Sequence, residues 1–201
     1  MPFDIAANLP DDPFAAFAAW YAEAEKIDCA FPNAMTLASC SDNRPSARVV
    51  LLKSWDEQGF VFFTNYQSRK GEDLAANPRA SLLFYWDALF RQVRIEGKVE
   101  TINREESRAY FDSRPRDSRI GAWASHQSRE LESREILDER VEHYRREFEG
   151  GEPDLPDYWG GYLLRPLEIE FWHGEYARLH QRRSFSRDSL DVEWKSRLLY
   201  P

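Results

Sequence analysis

Four groups of cationic or proton-bearing side chains stand out by type and spacing. Arg48 and Lys53 close the two ends of the apolar run RVVLLK. On an extended chain they lie about 16 Å apart, the scale of a nucleotide-sized ligand. Their odd separation puts them on opposite faces of an ideal strand, so one ligand touches both only if the strand twists or bulges. Arg69 and Lys70 follow Ser68, which is suited to cap the short helical pattern that Asn77-Pro78 ends. Free backbone N–H groups beside two cations make an anion site that a phosphate fits; the same residues also describe an ordinary capped helix with solvated charges. The run DSRPRDSR over 112–119 alternates cations with hydroxyls and acids. That chemistry grips a phosphate while carboxylates orient the guanidinium groups, and it equally suits a solvated loop. Arg178 and His180, two apart on an expected strand, project to one side and can present a cation and a proton-transferring or hydrogen-bonding ring to one substrate. A lone histidine on a strand is more often structural, so this pair gains meaning only where the other basic groups converge on it.

The elements that must position these groups are mostly strands. Two runs rich in Val, Leu and Phe flank residues 54–59, which predicts a β-hairpin across 48–70. Further strands are expected at 34–40, 80–86, 91–102, 162–164, 168–172 and 178–180, with a final hairpin ending near 194–198. In 91–102, Gln92, Arg94, Glu96 and Lys98 alternate with Val93, Ile95 and Val99, and Gly97 interrupts the period. Helices are expected after Asp12-Pro13, with Phe14, Phe17 and Tyr21 on one face, over 105–111, and over 130–149. In the last, Leu137, Val141, Tyr144 and Phe148 form one stripe, Glu142 and Arg146 pair on the other, and Gly150-Gly151 stops the helix. Residues 121–128 read as a tight, ring-bearing connection, and residues 1–11 as loose.

A chain of 201 residues is most simply one domain over 1–201, large enough for a real core. Aromatic residues make up 14%, so the core and any pocket are ring-lined. A formal charge of −8 argues against nucleic-acid binding, so an anionic ligand must be held by a local cluster of Arg and Lys. Cys29 and Cys40 form no metal or redox motif, which with the absence of a signal peptide or a membrane-length apolar run points to a reduced cytoplasm and no membrane.

Taken in order, RVVLLK, FFTNYQSRKG, FRQVRIEGKVE, SRPRDSRIGAWAS, WGGYLLRPLEIEFW and RLHQR resemble the pyridoxine/pyridoxamine 5′-phosphate oxidase family over residues 12–201. The resemblance implies a mainly β fold with flanking helices (α+β), a split β-barrel, acting as a homodimer with FMN in clefts between subunits. It assigns the flavin to Arg48, Val49, Leu51, Leu52, Lys53, Phe63, Thr64, Arg69, Lys70, Gln92, Gln127, Ser128, Trp172 and Arg182. The substrate phosphate falls to Lys53, Tyr110, Arg114 and Ser118, while Arg178 and His180, on the C-terminal strands of 171–201, sit over the pyridine ring as the catalytic pair. The implied reaction moves a hydride from substrate C4′ to flavin N5, and O2 reoxidises the flavin with release of H2O2. Pyridoxine 5′-phosphate gives the aldehyde pyridoxal 5′-phosphate directly; pyridoxamine 5′-phosphate gives an imine that water hydrolyses.

Several positions depart from the family pattern. Gln181 stands where many relatives carry Asp, Phe63 where Tyr is frequent, and Arg182 is followed by a second Arg183. The 187–194 turn is slightly long, and little of the basic N-terminal extension of some relatives is present, so weaker substrate sequestration is expected. Two other readings stay open: a same-fold flavin oxidase of another aromatic substrate, such as a phenazine precursor, and a non-catalytic flavin or pyridoxal-phosphate carrier. The SRPRDS loop favours a phosphorylated substrate over the first, and Arg178 with His180 argues against the second.

Overall fold

The computed structural model describes residues 3–27 and 30–201. Asp42 and Asn43 both take positive φ, 49° and 58°, the backbone of a two-residue hairpin turn whose twist matches the strands it joins. They link β1 (Ala34–Ser41) to β2 (Arg44–Leu51), paired from Ser41↔Arg44 to Ala34↔Leu51. The ladder breaks at Leu52-Lys53 and resumes as β3 (Ser54–Asp56), which turns into β4 (Gly59–Asn65). The expected hairpin of 48–70 is therefore corrected: β2 pairs with β1, and only the short β3 pairs back on β4. Alternation of apolar residues reports which face a strand buries and not which strand it joins.

Five more strands complete the sheet: β5 (Arg79–Trp86), β6 (Arg91–Thr101), β7 (Trp159–His173), β8 (Gln181–Ser186) and β9 (Lys195–Leu199). All pairings are antiparallel, in the order β2-β1-β5-β6-β7-β4-β3, with β8 on β7 and β9 on β8. Because β3 continues from β2, the two ends of this path meet at Leu52-Lys53, where the Lys53 N–H donates to the Val61 carbonyl at 2.9 Å. The result is a barrel that is split instead of fully closed. Gly97 marks a bulge, as its break in the period suggests: the β6–β7 register shifts between Glu96 and Gly97.

Helices flank the barrel: α1 (Ile5–Asn8), α2 (Pro13–Ala24), α3 (Arg69–Ala76), α4 (Arg104–Ser113), α5 (Arg116–Ala124) and α6 (Arg134–Glu147). Asp12 caps α2 by accepting from the Ala15 N–H, and Phe14, Phe17 and Trp20 of α2 are buried against the sheet. Phe17 sits edge-on to Trp55, Phe60 and Phe84 at 5.0–5.3 Å, a ring cluster that fixes α2 over the barrel. The N-terminal segment is not loose from Phe3 onward: Ile5 and Leu9 are buried in the same core. Residues 116–124, expected as loop and connection, form α5, because Arg119, Ile120 and Ala124 recur at helical spacing and are all buried. On α6 the expected stripe is half-buried, but Glu142 pairs with Arg145 and not Arg146. Arg178 and His180 are not on a strand: Tyr176–Arg178 is a 3-10 turn, and β8 begins only at Gln181. Of the two cysteines, Cys40 is a half-buried free thiol and Cys29 lies outside the described residues. Among the described residues no helix is long and apolar enough to cross a membrane.

Candidate functional site

The first anion grip forms where β4 runs into α3. Ser68 caps α3, its hydroxyl accepting from the Gly71 N–H and donating to the Asn65 carbonyl. This cap turns Lys70 back over the strand end, where its Nζ donates to Thr64 Oγ1 (3.2 Å), Ser68 Oγ (3.2 Å) and Gln127 Oε1 (2.8 Å). Burial, and secondarily the charge of Arg48, push the Lys70 ammonium down to about 8. Arg48 approaches from β2, held by Ser39 Oγ (2.8 Å), Ser46 Oγ (2.6 Å) and the Leu37 carbonyl (3.2 Å), with Asp73 at 3.6 Å. Its guanidinium is lowered by burial despite Asp73. Lys70, lowered by burial and Arg48, and Arg48, lowered by burial and Arg69, make a half-buried cationic corner that favours an anion. Arg69 is exposed beside this corner, as is Ser128, at φ 70°; Val49, next to Arg48 on β2, is exposed on the opposite face of the strand. Leu51 is half-buried and Leu52 lies in the core, so Leu52 offers a ligand only its backbone.

The second grip starts one residue earlier on β4. Phe63 stacks on Tyr110 of α4 at 4.0 Å and on Trp159 of β7 at 5.5 Å, and the Lys53 ammonium stands 5.5 Å from the Tyr110 ring centroid. Arg114, at the end of α4, lies 4.7 Å over the Trp159 ring. Its Nη1 is buried and has no hydrogen-bond partner among the described residues, and burial lowers its guanidinium. An unpartnered buried guanidinium is costly unless a ligand completes it, and a phosphate is the natural complement. The neighbouring charged groups are already engaged: Arg116 donates to the Phe148 carbonyl (2.7 Å) and Arg119 to Glu152 (2.5 Å), while Asp117 accepts from Arg145 (3.4 Å). Among the described residues of the expected cationic run, the Arg114 guanidinium has no carboxylate or carbonyl partner, whereas Arg119, although its Nε is also unpartnered, is tied to Glu152; Ser118 is exposed on the first turn of α5.

A third group lies on the outer face of β6, β7 and β8. Gln92, Trp172 and Arg182 are register partners across the three strands, so their side chains share one face. Arg182 is held by the Glu170 carboxylate through Nε (2.9 Å) and Nη2 (3.0 Å), and by the Tyr200 carbonyl through Nη1 (2.7 Å). Those bonds to Glu170 raise its guanidinium above the ordinary value. His180 packs on Trp172 at 4.6 Å, while Arg178 is exposed. Ala177 and Arg178 both take positive φ, 57° and 62°, in the 3-10 turn before it, a strained backbone of the kind that functional loops retain.

The first two grips meet on consecutive β4 residues, Phe63 and Thr64. The third does not reach them within one chain. Trp159, the platform of Arg114, and Trp172, the platform of His180, stand at opposite ends of β7, about 40 Å apart along an extended strand. Residues that the sequence alone does not single out also build the site: Trp159 under Arg114, Glu170 behind Arg182, and Asp73 with Ser39 behind Arg48. Only Glu170 leaves a signal, a carboxylate repeating in the apolar strand LEIEFW.

The same barrel recurs in a pyridoxamine 5′-phosphate oxidase-related, FMN binding protein from Nostoc punctiforme, with TM-score 0.73 over 96% of this chain and all of the other at 17% identity, a likeness of fold alone. PhzG from Burkholderia lata 383, solved in complex with tetrahydrophenazine-1-carboxylic acid, superposes at TM-score 0.91 over 100% of this chain and 98% of that one, at 32% identity. The family model for pyridoxamine 5′-phosphate oxidase matches residues 24–147, and that for the pyridoxine 5′-phosphate oxidase C-terminal dimerisation region matches residues 159–201. The chain belongs to the pyridoxamine 5′-phosphate oxidase family. Curated relatives named pyridoxine/pyridoxamine 5′-phosphate oxidase are 53% identical in Cupriavidus pinatubonensis, over 97% of this chain and 92% of the relative, and 52% identical in Burkholderia mallei, over 98% and 92%.

Proposed function

We propose that this protein is a homodimeric, FMN-dependent oxidase that converts pyridoxine 5′-phosphate and pyridoxamine 5′-phosphate to pyridoxal 5′-phosphate, with O2 as acceptor. The observation that carries the reading is the buried, unpartnered Arg114 Nη1 beside Lys53 and Tyr110, adjoining a separate cationic corner at Arg48 and Lys70. Two anion grips on neighbouring residues suit two phosphate esters, one on the cofactor and one on the substrate. Arg48, Lys70, Ser68 and Thr64 would hold the cofactor phosphate, with Arg69, Gln127 and Ser128 at its margin. Gln92, Trp172 and Arg182 would hold the ring end. Given the length of β7, these come from the second protomer, which the C-terminal dimerisation region supports.

FMN when bound supplies the two-electron acceptor and its reoxidation by O2. The chain's own residues bind and orient. Arg114, Lys53 and Tyr110 clamp the substrate phosphate, so that the rest of the molecule is presented in one pose. Arg178 would orient the ring and offset negative charge on its oxygen substituent while the C4′ group is oxidised, and His180 would hydrogen-bond a ring substituent. No strongly basic side chain is required at the reacting carbon.

A phenazine-type substrate is the second reading, favoured by the likeness to PhzG. The test adds pyridoxine 5′-phosphate, pyridoxine or tetrahydrophenazine-1-carboxylic acid to the flavin-loaded protein under air and follows peroxide with each product. Aldehyde and peroxide from the phosphorylated vitamer alone are expected. Turnover of the phenazine precursor with none of the vitamer would overturn the proposal.

A further inference from the structure

Gln181 is the meeting point of two segments distant in sequence. Its Oε1 accepts from the Ile5 N–H at 2.7 Å, and its Nε2 donates to the Phe3 carbonyl and to Glu175 Oε1, both at 2.8 Å. Two positions on, and on the same side of β8, buried Arg183 donates to the Leu9 carbonyl (3.0 Å) and Asp11 Oδ1 (2.6 Å). The N-terminal segment is thus fastened along β8. Glu175, at the other end of the Gln181 amide, donates its backbone N–H to His180 Nδ1 at 3.1 Å. A backbone N–H can only donate, so His180 Nδ1 carries no proton there. A ring that accepts at Nδ1 keeps its proton on Nε2, which is then its donor.

We infer that Gln181 is a positioning residue: it fastens the N-terminal segment to the 174–180 loop and, through Glu175, holds His180 as the Nε2–H tautomer that donates to the substrate. This rests on the proposed role of His180. The amide is chemically matched to its neighbours, since it gives hydrogen bonds to a carboxylate and a carbonyl while accepting one from a backbone N–H. An acid at the same position accepts from Ile5 but sets a second negative charge against Glu175.

The experiment compares Gln181→Glu, Glu175→Gln and the double variant, which restores one amide facing one carboxylate. Nitrogen NMR of 15N-histidine-labelled protein, with His180 assigned by His180→Asn, reads the tautomer without turnover. In Gln181→Glu the His180 nitrogens should move to averaged-tautomer shifts, and kcat/KM for pyridoxine 5′-phosphate should fall about tenfold, while FMN affinity stays within about twofold. The double variant should recover the wild-type shifts and come within about threefold of wild-type kcat/KM. A wild-type tautomer with unchanged kcat/KM in Gln181→Glu would overturn the inference, as would a folded double variant that regains neither. If Gln181→Glu does not fold, the uncharged Gln181→Met is expected to lose the tautomer in the same way, and its retention there is equally fatal. A tautomer that follows Gln181 in a protein that oxidises no vitamer would leave the positioning role standing and remove the substrate reading instead.

Discussion

Lys70 has lost much of the stabilisation of its charge before any ligand arrives, which makes its proton a reporter of the corner it shares with Arg48. Burial and Arg48 set it at about 8, and a phosphate placed between the two cations raises it again. Between about pH 7 and 8 the free protein already holds the proton and the phosphate is dianionic, so Lys70 adds little pH dependence to binding there. Above that range, binding must take a proton up, and the FMN dissociation constant should rise by up to about tenfold per pH unit. Flavin fluorescence titrations from pH 7 to 9.5 measure this, and Lys70→Met should flatten the profile while weakening binding overall. Arg114 and Arg178 separate in another way. Arg114→Ala should raise KM for the phosphorylated vitamer about 10- to 100-fold and leave kcat nearly intact, whereas Arg178→Ala should also lower kcat about tenfold or more. Equal effects confined to KM would remove the catalytic role proposed for Arg178. At this scale the sequence is informative wherever chemistry is local: Ser68 as a cap and Lys70 beside it follow from three consecutive residues. That Arg114 is left without a partner while Arg116 and Arg119 are engaged depends on Phe148, Gly151 and Glu152, which only the folded chain brings near.

Strands and helices are legible in kind and less so in their partners. The interruption at Gly97 is visible as a break in alternation, and its cause is a close approach: a Cβ there would lie 2.0 Å from the Arg165 carbonyl oxygen. Gly97→Val is expected to cost about 1–3 kcal/mol, seen as a lower urea midpoint at unchanged slope. Gly121, inside α5, has nothing within 4 Å of the place an added Cβ would take, so Gly121→Ala should instead stabilise by about 0.5–1 kcal/mol. The turn at 41–45 that joins β1 to β2 is legible; the change of partner escapes the sequence because the run after Leu51 looks like a hairpin arm, when Leu52-Lys53 is the seam at which the strand changes partners. Arg178 to His180 reads as a strand from spacing alone; two consecutive left-handed residues, Ala177 and Arg178, leave no sequence mark because neither is glycine.

For the molecule as a whole, the decisive dimension is the length of β7. The grips at its Trp159 end and the group at its Trp172 end serve one site only if two copies contribute, which gives a complementation test. Lys70→Met and Arg182→Ala proteins, each assayed at an FMN concentration too low to load it alone, should regain about a quarter of wild-type activity after mixed refolding, because half the dimers are mixed and each has one intact site. No recovery from a demonstrably mixed dimer would place the whole site in one chain. β7 has a further consequence for synthesis. It lies between β6 and β4 and carries β8 on its path, so a nascent chain that has emerged only through α6 has no strand to put there. The facing edges of β4 and β6 must then wait, unpaired, until the final quarter of the polypeptide leaves the ribosome, and it is in that interval that a holding chaperone has most to protect.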